Sequence, residues 1–343
     1  MGKHRGGHAA ESRVVADEPA PAASHKATAA GVPVAWSAAE LAELREGGAV
    51  GAAFTAAVAA VLVRTMHPTV AGGDSGELMG AACELGVAHP PGYPLFTMLS
   101  WLGTQVIPVG TPGYRLNCVS VLFAVLAAYF HFSAVLRWHL GMVRAGVTPG
   151  AGGGEQWRGS AWVALIASGT LVFCPLLWQY STHAEVFAMN NMFVAILLYL
   201  GVRYVQERQV VWARLGALFI GLGLTNQHTL LLYALPLVAW MLHLGRAQLL
   251  NPREFGILAA LGLLGLTPYL YLFWAATHAP LGSWGDTSTL SGICALSVRA
   301  CLPWPHAGRA AQTVPASHCP ATAPHTPAVC VPALAACDAT THK

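Results

Sequence analysis

Between Gly72 and Leu95 the chain reads GGDSGELMGAACELGVAHPPGYPL, the longest polar interval between its apolar segments, and Asp74, Glu77, Glu84 and His89 all fall inside it. Asp74 and Glu77 lie one helical turn apart. If a helix starts at Ser75 with Asp74 at its N-cap, both carboxylates project from one end on roughly one face. Acids so placed can take a proton from an attacking hydroxyl or orient the group that carries it. The following His89-Pro90-Pro91-Gly92-Tyr93-Pro94 forbids a helix. Each proline removes an N–H donor and biases its predecessor to extended geometry, so a stiff, shaped loop is expected.

The rest of the chain must position that loop, and its composition says how. The 343 residues are 55% hydrophobic and 10% charged, with a mean hydropathy of +0.52, against roughly 25% charged residues in soluble domains. This is an all-α, polytopic membrane protein. Residues 49–63 read as a first span, 116–136 as a second, 161–178 as a third and 186–202 as a fourth. The shorter runs 215–224 and 230–242 read as two thin spans, and 255–276 as the last. The total is six or seven. Residues 95–107, bounded by Pro94 and Pro108, are too short to cross and are expected as an interfacial helix.

The ends differ from the middle. Residues 1–48 are expected as a disordered tail without a cleavable signal peptide, carrying a Ser37-to-Glu40 capping box that starts a short helix over 38–46. Residues 293–343 turn into a Pro, Ala, Thr, His and Cys mixture and are expected to be low-complexity, either disordered or a misread end.

Several functions are excluded by what is missing from the sequence. The net charge of +3 is small and its basic residues form no dense run, which removes a nucleic-acid partner. Cys83, Cys118 and Cys174 are scattered and the later cysteines form no CxxC pair, so neither a zinc site nor a disulfide framework is expected. No GxGxxG, P-loop, HExxH or GxSxG motif occurs.

Orientation gives the polar loops a common side. With the N-terminus in the cytosol, the loops at 137–160, 203–214 and 244–254 hold eight arginines. The opposite side receives the Asp74 loop within 65–115, the His183 to Glu185 link, the Asn226 to His228 turn and the Trp284 to Asp286 loop, with only Arg64 and Arg115 at its borders. That is the positive-inside pattern. Four separated polar clusters are therefore expected to converge on one membrane face and line one site.

Gly73 to Leu78 (GDSGEL), Leu85 to Leu95 (LGVAHPPGYPL), Ala184 to Phe187 (AEVF), Leu222 to His228 (LGLTNQH) and Trp284 to Asp286 (WGD), in that order, give the sequence a resemblance. Over residues 49–292 it resembles the transmembrane protein 260 family of protein O-mannosyltransferases and the bacterial relatives labelled a domain of unknown function. The resemblance implies a GT-C type glycosyltransferase, with its catalytic acid in the first lumenal loop. It implies a polyprenyl-phosphate sugar donor, dolichyl-phosphate mannose in a eukaryote, and a Ser or Thr hydroxyl of a secretory protein in the endoplasmic reticulum as acceptor. No cofactor or metal is implied. On this reading Asp74 is the general base and Glu77 orients it or the acceptor. His89 and Tyr93 shape the loop, and Glu185 meets sugar or acceptor hydroxyls. Arg64 and Arg115, with His228, are candidate ligands of the departing phosphate, while His183, Asn226 and Asp286 join the substrate-binding set. The family also implies further spans and a soluble C-terminal region, so the change of character after Gly292 reads as truncation. The rival expectation is a non-catalytic transporter or lipid-binding protein that holds a substrate with the same clusters, or an inactive fragment of the transferase. A transporter would carry midplane charges and internal repeats, neither of which is found.

Overall fold

The computed structural model describes Gly2 and residues 36–147, 159–278 and 282–299, and every regular element among them is helical. Of the tails expected at 1–48 and 293–343, residues 3–35 and 300–343 lie outside the described residues.

Helix α1 (Ala38–Thr65) opens on the expected capping box: the Ser37 hydroxyl accepts the Glu40 N–H at 3.2 Å and the Glu40 carboxylate accepts the Ser37 N–H at 2.6 Å. It then continues unbroken, so the short helix expected over 38–46 and the span expected from residue 49 are one element. Packing explains the continuity. α4 (Pro112–Arg144) lies so close that a Cβ at Gly51 would stand 2.8 Å from the Phe132 ring. The glycines that look like a break in the sequence are the surface on which the two helices meet.

Between α1 and α4 lie the two short helices of the polar interval, α2 (Ser75–Glu84) and α3 (Pro94–Val106), the latter matching the short helix expected at 95–107. α5 (Ser160–Val172) and α6 (Pro175–Ser181) meet at a 70° bend, as a broken span or a re-entrant loop, and Pro175, which has no N–H to give, opens α6. α7 (Val186–Glu207), α8 (Val210–Leu224) and α9 (Leu230–Leu249) follow. α10 (Pro252–Gly265) leads through a 3-10 turn into α11 (Leu270–His278), and α12 (Leu290–Arg299) comes last.

Among the described residues five helices are long and apolar enough to cross a membrane, or six if α5 and α6 count as one span. α8, with 15 residues, is shorter than these. α4 and α7 run side by side at the centre, burying Leu116, Phe132, Leu140, Met189, Phe193 and Leu197. α9 and the α10–α11 pair are peripheral: 17% and 22% of their apolar windows are buried, against 67% for α7. α8 meets α10 where Gly221 faces Gly265.

Two expectations need revision. Ordered structure does not stop at Gly292, because Ile293 and Leu296 of α12, one helical turn apart, bury against Val87, Tyr271 and Leu272. Cys83 is disulfide-bonded, although cysteine spacing gave no sign of it.

Candidate active site

α2 starts at Ser75 with Asp74 at the N-cap position, the geometry its spacing requires. An N-cap aspartate normally spends its carboxylate on the first N–H groups of its helix. Asp74 does not: it has helical backbone angles, makes no side-chain cap bond, and leaves its side chain 66% exposed. Glu77 sits on the first turn beside it. The loop that returns over this turn brings His89 between the two acids. The His89 N–H donates to Glu77 Oε1 at 2.8 Å, its Nδ1 bonds Glu77 Oε2, and its Nε2 stands 3.8 Å from Asp74 Oδ2. One imidazole thus links both carboxylates.

The loop is fixed from three directions. The Pro90–Pro91 peptide is cis, and Gly92 takes φ +95° where an added Cβ would meet Leu296 of α12 at 3.0 Å. Tyr93 adopts the left-handed region, φ 41°, which is costly for an aromatic residue. That conformation starts α3 and sets the Tyr93 ring edge-on to His89, with centroids 5.1 Å apart. Behind the loop, Tyr271 Oη donates to the Gly86 carbonyl at 2.8 Å and the Trp284 N–H donates to the Val87 carbonyl at 2.9 Å. The Val87 N–H in turn donates to Ser283 Oγ at 3.1 Å.

Glu185 closes the cluster. It occupies the N-cap position of α7, is 4% exposed, and also makes no side-chain cap bond to its helix in the usual manner. A Cβ at Gly73 would lie 3.7 Å from its Oε1. Burial and then the charge of Asp74 push its pKa up to about 7, against the opposing pull of His89. For His89, burial alone would lower the pKa. The bond to Glu77 and the charges of Glu77, Asp74 and Glu185 outweigh it and raise the value. Burial, reinforced by Asp74, Glu185 and Glu77, also raises Tyr93 and keeps its phenol protonated.

A residue that sequence reasoning missed holds this arrangement together. Asn117, fully buried near the start of α4, donates to the carbonyls of His67 at 2.7 Å and Thr69 at 2.9 Å, and its Oδ1 accepts the Ala184 N–H at 2.8 Å. Ser120, one turn on, accepts the Glu185 N–H at 3.4 Å. An amide at the edge of an apolar run was the available signal.

The remaining expected site residues serve other places. Asn226, buried at the α8–α9 joint, donates to the Val186 carbonyl at 3.1 Å and so pins the start of α7. His228 bonds Tyr269 Oη at 2.7 Å, and Tyr269 Oη donates to the Leu224 carbonyl, so this imidazole ties the joint to the 3-10 turn rather than to the cluster. Burial lowers its pKa. His183 is buried with its ring edge-on to His67 at 5.6 Å, and burial followed by the neighbouring His67 lowers its pKa. Arg115 spends its guanidinium on the carbonyls of Gly110 and Thr104, clamping α3 to α4. Arg64 is exposed at the end of α1. Asp286 is exposed and accepts from the Ser288 N–H and hydroxyl, bonds that lower its pKa. The four polar loops therefore do meet at one end of the bundle, but only Asp74, Glu77, His89, Tyr93 and Glu185 share a site.

Chemically, the site offers an outward-facing carboxylate next to an imidazole already bonded to a second carboxylate, with a third carboxyl buried behind it. Such a group can accept a proton at Asp74 and hold hydroxyls at Glu185. Among the described residues no group of three or more His, Cys, Asp and Glu is placed to hold a metal ion.

Comparison with known proteins gives this geometry a family context. A family described as protein O-mannosyl-transferase TMEM260 N-terminal domain matches residues 74–251. Protein O-mannosyl-transferase tmem260 of Dictyostelium discoideum is 37% identical over 246 residues, covering 67% of this chain and 28% of that protein. Protein O-mannosyl-transferase TMEM260 of Mus musculus is 39% identical over 249 residues, covering 69% of this chain and 32% of that protein. The chain thus spans less than a third of the length of these relatives. No solved structure matches it.

Proposed function

Because the chain belongs to the protein O-mannosyl-transferase TMEM260 family, we propose that it forms the acid-bearing part of a membrane glycosyltransferase of GT-C type. It transfers mannose from dolichyl-phosphate mannose to Ser or Thr hydroxyls of proteins in the lumen of the endoplasmic reticulum, releasing dolichyl phosphate. On this reading its N-terminus is cytosolic and the Asp74 loop lumenal, an orientation that the arginine distribution supports. The observation that carries the reading is the bridging of Asp74 and Glu77 by His89, with the Asp74 carboxylate left free of its own helix and open to solvent.

Transfer needs three things from the protein. The acceptor hydroxyl must lose a proton as it attacks C1, and Asp74 is the exposed carboxylate that takes it. The base must keep one orientation, which Glu77 secures by holding the His89 ring through Nδ1 and the His89 backbone together. The sugar must be positioned, and Glu185 can both donate and accept a hydrogen bond, since a pKa of about 7 leaves it protonated in part of the molecules at neutral pH. Attack opposite to the leaving phosphate inverts C1. Arg64, exposed beside the loop in sequence, is the guanidinium we assign to that phosphate, whereas Arg115 is committed to backbone carbonyls.

The test is transfer of labelled mannose from dolichyl-phosphate mannose to a Ser- or Thr-bearing acceptor. It should be made by membranes expressing this chain and by membranes expressing a gene product of the relatives' length, each beside Asp74→Asn at matched abundance. Product in either wild-type membrane, lost in its mutant, is the expected result; product undiminished by Asp74→Asn removes the base assignment, and silence of both wild types removes the transferase reading.

A further inference from the structure

Leu296 of α12 is buried, and its two methyl groups face two glycines from distant parts of the sequence. A Cβ at Gly92 would stand 3.0 Å from Leu296 Cδ2, and a Cβ at Gly285 would stand 3.2 Å from Cδ1. Both glycines take positive φ, +95° and +70°, so one leucine fills two notches that only residues without a side chain leave open. Gly92 closes the His89 turn, its N–H donating to the His89 carbonyl at 2.7 Å. Gly285 belongs to the Trp284 to Asp286 loop, a polar cluster from which no residue enters the carboxyl site.

The segment that carries this leucine grips the chain on both sides of His89. Two residues before the imidazole, Val87 is held by the Trp284 N–H on its carbonyl and by Ser283 Oγ on its N–H. Three residues after it, Gly92 rests on Leu296. The grip is itself anchored. Thr287 Oγ1 donates to the Leu272 carbonyl at 2.9 Å, and the Asp286 carbonyl packs so closely on Gly292 that no Cβ fits between them. Residues 283–296 lie outside 74–251, the stretch that the family match covers. The carboxyl cluster is thus held by a part of the chain whose composition looks like a tail.

We infer that Leu296 is a positioning residue of the Asp74–Glu77–His89 cluster. Wedged between Gly92 and Gly285, it fixes where the His89 turn stands over α2, and with it the bond from His89 to Glu77 and the approach to Asp74. It touches none of the reacting groups. A leucine that only fills the core would cost stability when shortened and leave His89 in place. A positioning leucine lets the turn shift, and a small shift at a catalytic centre is costly to turnover. The placement of His89 is argued from contacts alone, while the effect on turnover rests on the transferase reading.

Carbethoxylation by diethyl pyrocarbonate reads the imidazole without turnover, because the reagent attacks a neutral ring nitrogen free of a partner. In the full chain in detergent, followed by mass spectrometry, Leu296→Ala should raise the rate at His89 by about threefold or more and leave His243, exposed on α9, unchanged. In the mannosyl transfer assay kcat should fall by about tenfold per folded molecule, with KM for the acceptor held within about twofold. Leu296→Met, which keeps the volume, should restore both. Should Leu296→Ala fail to fold, Leu296→Val carries the test, with a rise at His89 of about twofold expected. An unchanged rate at His89 in the folded variant, an equal rise at His89 and His243, or an unchanged kcat would overturn the proposal. A faster His89 with no transfer by either wild-type gene product sinks the transferase reading and keeps the placement; wild-type transfer with His89 unmoved by the substitution does the reverse.

Discussion

At the end of the α4–α7 pair remote from the carboxyl cluster, Arg203 closes on Glu207 through Nε at 2.5 Å and a second nitrogen at 3.1 Å. Arg137 approaches the same carboxylate at 3.5 Å, Trp212 donates to it at 2.9 Å, and Tyr199 takes a further Arg203 N–H at 2.7 Å. At the other end, about 30 Å away along α7, Asp74, Glu77 and Glu185 crowd around a single His89. In the first region opposite charges face one another and aromatic rings cover the guanidinium groups. In the second, like charges are brought together and one acid is buried. The first arrangement holds helices; the second costs stability, and on the proposed reading that cost is borne for chemistry.

Mutations should separate the two ends. Glu207→Gln leaves two half-buried guanidinium groups without their carboxylate, and the expected loss is about 3–5 kcal/mol of stability. A denaturant or thermal titration in detergent would show it, with transfer per folded molecule unchanged. His89→Gln removes the link between the acids, and we expect the transfer rate to fall by about a hundredfold through kcat. The same variant has a signature in stability. Because the folded pKa of His89 is raised, its contribution is fully present below the unfolded value of 6.5 and is lost as pH rises through the folded one. The wild-type melting temperature should therefore lose an advantage over His89→Gln on going from acid to alkaline pH.

Gly92→Ala tests the support of the loop rather than its chemistry. A Cβ at φ +95° against Leu296 should cost about 1–2 kcal/mol, seen as a lower melting temperature with a smaller loss of transfer than His89→Gln gives. Glu185→Gln should be the mildest in stability. Its folded pKa of about 7 against an ordinary 4.5 means that raising the pH through this window ionises a buried acid and weakens the fold. The glutamine variant should lack that slope, and an unchanged slope would show that Glu185 is not the group responsible.

The two regions also differ in how far the sequence revealed them. Asp74, Glu77 and the return of His89 were legible because a helix start and a Pro-rich turn are local events, fixed by residues a few positions apart. The break at Pro175 was equally open to such reading, yet the span was expected as one piece, since length and apolarity dominate that judgement. What escaped was tertiary. Nothing near Gly47 or Gly51 announces that Leu136 and Phe132 press against them, so α1 was expected in two parts. Arg115 and His228 stood at the right border and were expected at the site, but nearby carbonyls and Tyr269 take them. Asn117 was invisible as a hub because its partners lie 48 to 67 residues away. α12 was hidden by a composition that looks like a tail, and only its fit under the Val87 strip shows that Ile293 and Leu296 belong to the core.

The central claim is that the crowded carboxyls serve chemistry rather than the fold, and Asp74→Asn measured for both turnover and melting temperature in one preparation addresses it most directly. Neutralising Asp74 relieves its repulsion of Glu185, so the account predicts an unchanged or higher melting temperature together with a loss of mannosyl transfer of about a hundredfold or more. Transfer that survives the substitution, or a melting temperature that collapses with it, would contradict the account.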